Sequence, residues 1–448
     1  MSIRPILWRK FDAPIGRAGG WLAKEELLVM MTENPAPAPN APALFGLLRM
    51  PAALMVGRGQ RHALGSVAAR LGTRALLCTD RRQAAQPEFM AMLTDLGTHG
   101  VKFRVFDDTI PDLPISSIEA CVATVADFAP DIVIGVGGGS SMDMAKVVAV
   151  LLTHGGDLRS YFGEFAVPGP VMPLIAVPTT AGTGSEVTPV AVVSDEERGT
   201  KVGIASPYLI PICAICDPEL TATCPPALTA CSGADALTHA VEAFTTLARP
   251  IDPMLSQDHV FVGKNALSDH FARLAVEQIF RFLKRAYDDG SDMEAREGLM
   301  LAATAAGCAF GAAGTAAAHA LQYPVGNLTH TAHGDGVATL LPYVMQFNLP
   351  DATPAFAELA KVIGLPAGTP EAMAQGFIDA VAQLFAAIKI PRTLADLGLK
   401  EDQQDFVATH SLNAARLVKN NPRLLDLPAM QSITHAAFTG DRAALAFA

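Results

Sequence analysis

From about residue 44 to 222, short apolar runs alternate with stretches of helical period. The runs predict strands at 52–56, 74–79, 102–106, 131–136, 174–178 and 212–216, with helices near 62–71, 87–97, 116–128 and 141–153. Strands that return after each helix make a mostly parallel sheet with helices on its faces. After Pro225-Pro226 the strand signal stops. Residues 226–448 read as helix after helix, with Gly or Pro breaks near 290, 311–314, 324–326, 364–369 and 391. The pattern predicts an α/β domain over 44–222 followed by an all-α domain over 223–448. Before them, N-P-A-P-A-P-N-A-P-A at 34–43 reads as a linker. Residues 1–43 as a whole read as a dispensable extension, either a weak organelle-targeting peptide or an upstream start before Met30 and Met31.

Composition narrows the picture. Half of the residues are hydrophobic and 17% are charged, which allows a large core and excludes a disordered chain. The net charge of −11 argues against nucleic acid or an anionic membrane as main partner. Residues 299–318 carry no charge over the length of a membrane span, but they are mostly Ala, Gly and Thr. A closely packed buried helix in a soluble protein is the better reading. The seven cysteines are odd in number and lie in apolar runs, as reduced thiols in a cytoplasmic protein would. Cys213-x-x-Cys216 has no second pair to complete a zinc site and reads as part of a buried strand.

Two loops and one helix carry candidate chemistry. In D-I-V-I-G-V-G-G-G-S-S-M-D-M-A-K (131–146), an apolar strand ends in glycines and a helix begins near Ser140. Glycines let the backbone approach a ligand, and free amides at a helix start favour phosphate. A tight turn is the plainer alternative. The polar loop P-T-T-A-G-T-G-S-E (178–186) could complete a dinucleotide cleft beside it. Asp80, ending another strand, is placed either as a helix cap or to accept from ribose hydroxyls, where its charge would favour NAD over NADP. In G-A-D-A-L-T-H-A-V-E (233–242), Asp235 and His239 are four apart and share one helix face. They are half of a divalent-metal site, or else a local pair and a core histidine. The best source of the other half is His319, His330 and His333.

Taken together these pieces resemble the iron-containing (group III) alcohol dehydrogenase family over roughly residues 44–448. The resemblance rests on G-G-G-S-S-M-D at 137–143, P-T-T-A-G-T-G-S-E, D-P-E-L at 217–220, G-A-D-A-L-T-H-A-V-E, and His319 and His333 fourteen apart. It implies an N-terminal dinucleotide-binding domain, a helical domain and a metal in the cleft between them. The implied metal ligands are Asp235, His239, His319 and His333, for Fe²⁺ or alternatively Zn²⁺. The implied NAD contacts are Asp80, Gly137, Gly138, Gly139, Ser140, Asp143, Thr179, Thr180, Thr183 and Lys201. His330 matches no ligand position.

One departure matters. Many family members have a histidine four residues after the ligand at the His319 position, and here Tyr323 stands there. A phenol can relay a proton, but its ordinary pKa near 10 makes it a poorer shuttle at neutral pH. That Tyr and an insertion before 265–269 resemble the hydroxyacid–oxoacid transhydrogenase branch. The insertion holds Arg249, His259 and Lys264, which are solvated loop charges or contacts to a substrate carboxylate. The expected activity is a metal-dependent, NAD-linked dehydrogenase of a small primary alcohol or aldehyde, in a homodimer or larger assembly, with Tyr323 as its catalytic proton carrier. The alternatives are a transhydrogenase of the 4-hydroxybutyrate type and a dehydroquinate synthase-like lyase, whose phosphate-bearing substrate would call for more basic residues near the metal.

Overall fold

The computed structural model describes residues 44–197 and 200–447. The expected extension at 1–43 lies outside the described residues. Six strands form one parallel sheet: β1 (Ala53–Val56), β2 (Arg74–Cys78), β3 (Lys102–Phe106), β4 (Ile132–Gly137), β6 (Leu174–Pro178) and β9 (Cys213–Cys216). Their order is β1-β9-β6-β4-β2-β3, and these are the six strands the apolar runs predict. Strand β4 is buried along its whole length, because helices cover both faces of the sheet. Leu76 and Val133 point to one face, while Leu77, Ile132 and Ile134 point to the other.

A second sheet was not foreseen. It consists of β5 (Gly163–Glu164), β7 (Val190–Asp195) and β8 (Thr200–Ala205), with β7 and β8 antiparallel. The alternating burial along β7 is that of a half-buried strand, a period-2 signal that the sequence does carry.

Among the described residues the α-helices of six residues or more are α1 (Pro87–Thr98), α2 (Ile115–Thr124), α3 (Gly139–His154), α4 (Pro226–Thr245), α5 (Ala266–Asp288), α6 (Met293–Ala313), α7 (Ala317–Thr329), α8 (His333–Val362), α9 (Pro370–Ala387), α10 (Gln404–Ser411), α11 (Ala415–Asn420) and α12 (Leu427–Thr439). Among the described residues after β9, helices joined by loops follow one another and no further strand forms. Helix α4 begins on Pro226 and is buried on all sides from Gly233 to Thr245, packed against α5, α6 and α8.

One expectation for the helical part holds and two need correction. The break expected at 311–314 is present, so the uncharged stretch 299–318 is not one helix: α6 stops at Ala313, Gly314 turns at positive φ, and α7 leaves at 103°. No single helix among the described residues is long and apolar enough to cross a membrane. The break expected at 324–326 is absent, and α7 runs through Pro324 to Thr329. Buried Leu321 and Val325 on either side hold the helix in place despite the missing N–H.

The small residues of α6 have a definite use. Gly307 touches Gly184 of the 178–186 loop so closely that a Cβ on Gly307 would lie 2.8 Å from the Gly184 Cα. That contact seats the loop directly on the helical part.

Candidate active site

Strands β2, β4 and β6 are neighbours, so the segments that follow them meet at one edge of the sheet. This is where open α/β sheets bind ligands. Asp80 follows β2, the glycines end β4, and the threonine loop follows β6. The two loops are in contact: a Cβ on Gly139 would lie 2.8 Å from Thr183 Cγ2. Thr179 donates its amide to the Gly137 carbonyl, and Thr180 borders Gly138. Helix α3 begins at Gly139, with Gly138 as an extended N-cap that offers no side chain. Its first amides are therefore available to an anion.

Asp80 caps the short helix Arg81–Ala84, accepting from the Gln83 amide at 2.9 Å. The cap reading is thus observed, and one carboxylate oxygen remains free of that bond. Asp80 also lines a groove shared with Asp108, Gly138, Gly139 and Ser140. Both oxygens of Asp143 are engaged, by the Ser185 hydroxyl at 2.6 Å and the Val192 amide at 2.9 Å. Burial pushes its carboxyl up, opposed by nearby Lys146. Asp143 thus ties α3 to the threonine loop and β7. Lys201 on β8 reaches Asp112 at 2.6 Å and faces the same cavity.

On the helical side, Asp235 and His239 project from the middle of α4. They meet His319 in the first turn of α7 and His333, the first residue of α8. Asp235 Oδ1 is the common point. It lies 3.6, 3.8 and 3.9 Å from the Nε2 atoms of His239, His319 and His333. Ligand atoms of Asp235, His319 and His333 all fall within 4.8 Å of one another. Asp235 Oδ1 and His319 Nε2 are buried with no hydrogen-bond partner. Unsatisfied buried acceptors aimed at one point are what a divalent cation requires. Burial pushes the Asp235 carboxyl up to about 7, with His319 opposing. It also holds His239 and His333 well below the usual imidazole range, as neutral donors.

Glu242 has a role that the sequence reading missed. Its Oε2 accepts from His319 Nδ1 at 2.7 Å, which leaves His319 Nε2 as a lone pair facing Asp235. The same carboxylate accepts the amides of Ala316 and Ala318 at 2.8 and 2.6 Å, capping α7 from a neighbouring helix. The available signal was its spacing: positions 235, 239 and 242 share one face of α4.

The glycine loop and the histidine cluster line opposite sides of one cavity of about 180 Å³. Phe310 stacks on His239 with 4.2 Å between ring centroids. Tyr323, one turn after His319, lines the same cavity, and burial raises its phenol above the usual range. Arg416 of α11 also faces it and was not foreseen. The other expected groups lie elsewhere. His330 is exposed and ends α7 in a left-handed conformation. Lys264 is bound to the Phe244 carbonyl and Asp269. Neither it nor Arg249 nor His259 lines the cavity, to which the insertion contributes Phe261.

Comparison with known proteins gives a consistent result. The family model for iron-containing alcohol dehydrogenase matches residues 51–218, and the C-terminal model of the Fe-containing alcohol dehydrogenase family matches 229–438. Long-chain-alcohol dehydrogenase 1 of Geobacillus thermodenitrificans is 34% identical, over 86% of this chain and 95% of its own length. The NAD-dependent methanol dehydrogenase of Bacillus methanolicus is 31% identical, over 84% of this chain and 95% of its own. Among solved structures, 1,3-propanediol oxidoreductase superposes with a TM-score of 0.82 at 32% identity, covering 88% of this chain and all of that one.

Proposed function

Because the chain belongs to the iron-containing alcohol dehydrogenase family, we propose that it is a metal-dependent, NAD(H)-linked dehydrogenase of a small primary alcohol or its aldehyde. The observation that carries the reading is the convergence of Asp235 Oδ1 and three imidazole Nε2 atoms across one cavity from the glycine loop. In the assigned reaction, hydride passes from the alcohol carbon to nicotinamide and the hydroxyl proton is released.

Asp235, His239, His319 and His333 would hold Fe²⁺, or Zn²⁺ in its place, and an ion there supplies Lewis-acid polarisation of the substrate oxygen. The α3 amides from Gly139 onward, with Thr180 and Thr183, would hold the dinucleotide's phosphates. Asp80 would take a ribose hydroxyl with its remaining oxygen, favouring NAD over NADP. Phe261 and Phe310 keep bulk water from the reacting carbon. Tyr323 Oη, kept protonated at neutral pH because burial raises its phenol, would relay the released proton by accepting it as its own hydroxyl proton passes on to water. The free cysteines, nearly all buried, support a reducing compartment such as the cytoplasm.

The test is NADH oxidation with a panel of small aldehydes, run anaerobically on chelator-stripped protein given back Fe²⁺ or Zn²⁺. Turnover should require metal and vanish in His319→Ala. Turnover without metal, or none with any aldehyde while NADH still binds, overturns the proposal.

A further inference from the structure

Arg416 sits in the first turn of α11, and its guanidinium faces the cavity that holds Asp235, His319 and Tyr323. Its Nη1 is buried and has no hydrogen-bond partner. The guanidinium makes no ion pair among the described residues. The Phe261 ring lies 4.2 Å below its central carbon. Burial lowers its pKa, opposed first by Tyr323 and then by Glu164 and Glu242. Of these, Glu242 is already held by two amides and His319, and Glu164 by the Val260 amide. Arg416 is half-buried as a residue, but its Nη1 is fully buried, and a cationic donor left unpaired there is costly unless a ligand completes the pair.

The surroundings say which ligand. Gly139 and Ser140 join the cavity to the groove at Asp80, on the side prepared for the dinucleotide phosphates. Arg416, Tyr323 and Phe261, together with Lys201 of β8 (already bonded to Asp112), join it instead to a groove that runs past Asn327 and Asn413. The orphan guanidinium is therefore on the substrate side of the histidine cluster. Stacking on Phe261 fixes its plane, as bidentate recognition of a planar anion demands.

We propose that Arg416 binds a carboxylate on the substrate, so that the enzyme acts on hydroxy acids and their aldehyde acids, with alcohol and carboxylate at opposite ends of a short chain. This deepens the dehydrogenase reading and rests on it.

Two measurements separate the claims. The first compares kcat/KM for NADH-linked reduction of 4-oxobutanoate and 5-oxopentanoate with that of butanal and pentanal, in the parent and in Arg416→Met. A charge-assisted pair predicts that the parent favours the acids by about 10- to 100-fold, and that the ratio collapses in the variant through KM. The second uses no turnover: calorimetric titration of the metal-loaded protein with butanoate, which should bind the parent and not the variant. Arg416→Lys should restore part of the binding, and NADH affinity reports that each variant is folded.

Metal-dependent turnover with no preference for acids, and no butanoate binding, overturns the carboxylate site and leaves the dehydrogenase standing. Butanoate binding that depends on Arg416, without turnover of any aldehyde, supports the carboxylate site and overturns the dehydrogenase reading. A preference for acids that survives in Arg416→Met also overturns the proposal.

Discussion

Two surfaces face each other across the central cavity, and they are built from opposite materials. The sheet side presents backbone: glycines, helix-start amides and short hydroxyl side chains, with Asp143 and Lys201 already engaged in ion pairs or hydrogen bonds. The helix side presents side chains: one carboxylate and three imidazoles, nearly all buried, held by packing and by one carboxylate behind them. A backbone site needs only a strand, a turn and a helix in sequence, so it is local. A side-chain site on three helices exists only once those helices have docked. The first tolerates substitution wherever a Cβ fits, whereas the second depends on each lone pair being aimed.

The sharpest way to break the comparison is to disturb the aim without touching the cluster. Glu242→Gln keeps the size of the side chain but removes the charge that orients His319 and caps α7. Loss of such a carboxylate behind a ligand should weaken Zn²⁺ or Fe²⁺ binding by about 10- to 100-fold. Competition with a chromophoric chelator reads this directly, with NADH affinity unaffected.

The next effect is about tenfold per pH unit. Burial holds the Asp235 carboxyl up to about 7 in the metal-free protein, so below that pH the metal must displace a proton. His239 and His333 are held neutral and release none. Metal affinity should therefore rise with pH up to about 7 and flatten above it. Calorimetry in buffers of different ionisation enthalpy should find about one proton released at pH 6 and close to none at pH 8.

The smallest effect belongs to the sheet side. Gly139→Ala sets a Cβ 2.8 Å from Thr183 Cγ2, the end of a side chain that can shift. NADH affinity should fall by roughly fivefold, about 1 kcal/mol, with metal affinity unchanged. Equal loss of both would show that the two surfaces are not separable.

Much of this was legible in the chain because it is written in local spacing. Apolar runs marked the six strands of the main sheet, and glycines after β4 marked the loop. Asp235 and His239 had to share a face once that segment was helical, and Glu242 completed the same row. Strand β7 carries a period-2 pattern, which a search for apolar runs does not detect. The proline at 324 misled, because packing of Leu321 and Val325 outweighs one absent hydrogen bond.

What the sequence by itself determined, then, is the order of α/β and helical parts, the backbone loop and the row of carboxylate and imidazole side chains on α4, each set by period and by backbone freedom. Only the tertiary structure decided which carboxylate stands behind His319, and that Arg416 Nη1 has no hydrogen-bond partner while Lys264 Nζ has two. Glu242 and His319 are 77 residues apart, and no local pattern relates them. Whether a charge is paired or left waiting for a ligand depends on what the fold brings within a few ångströms of it.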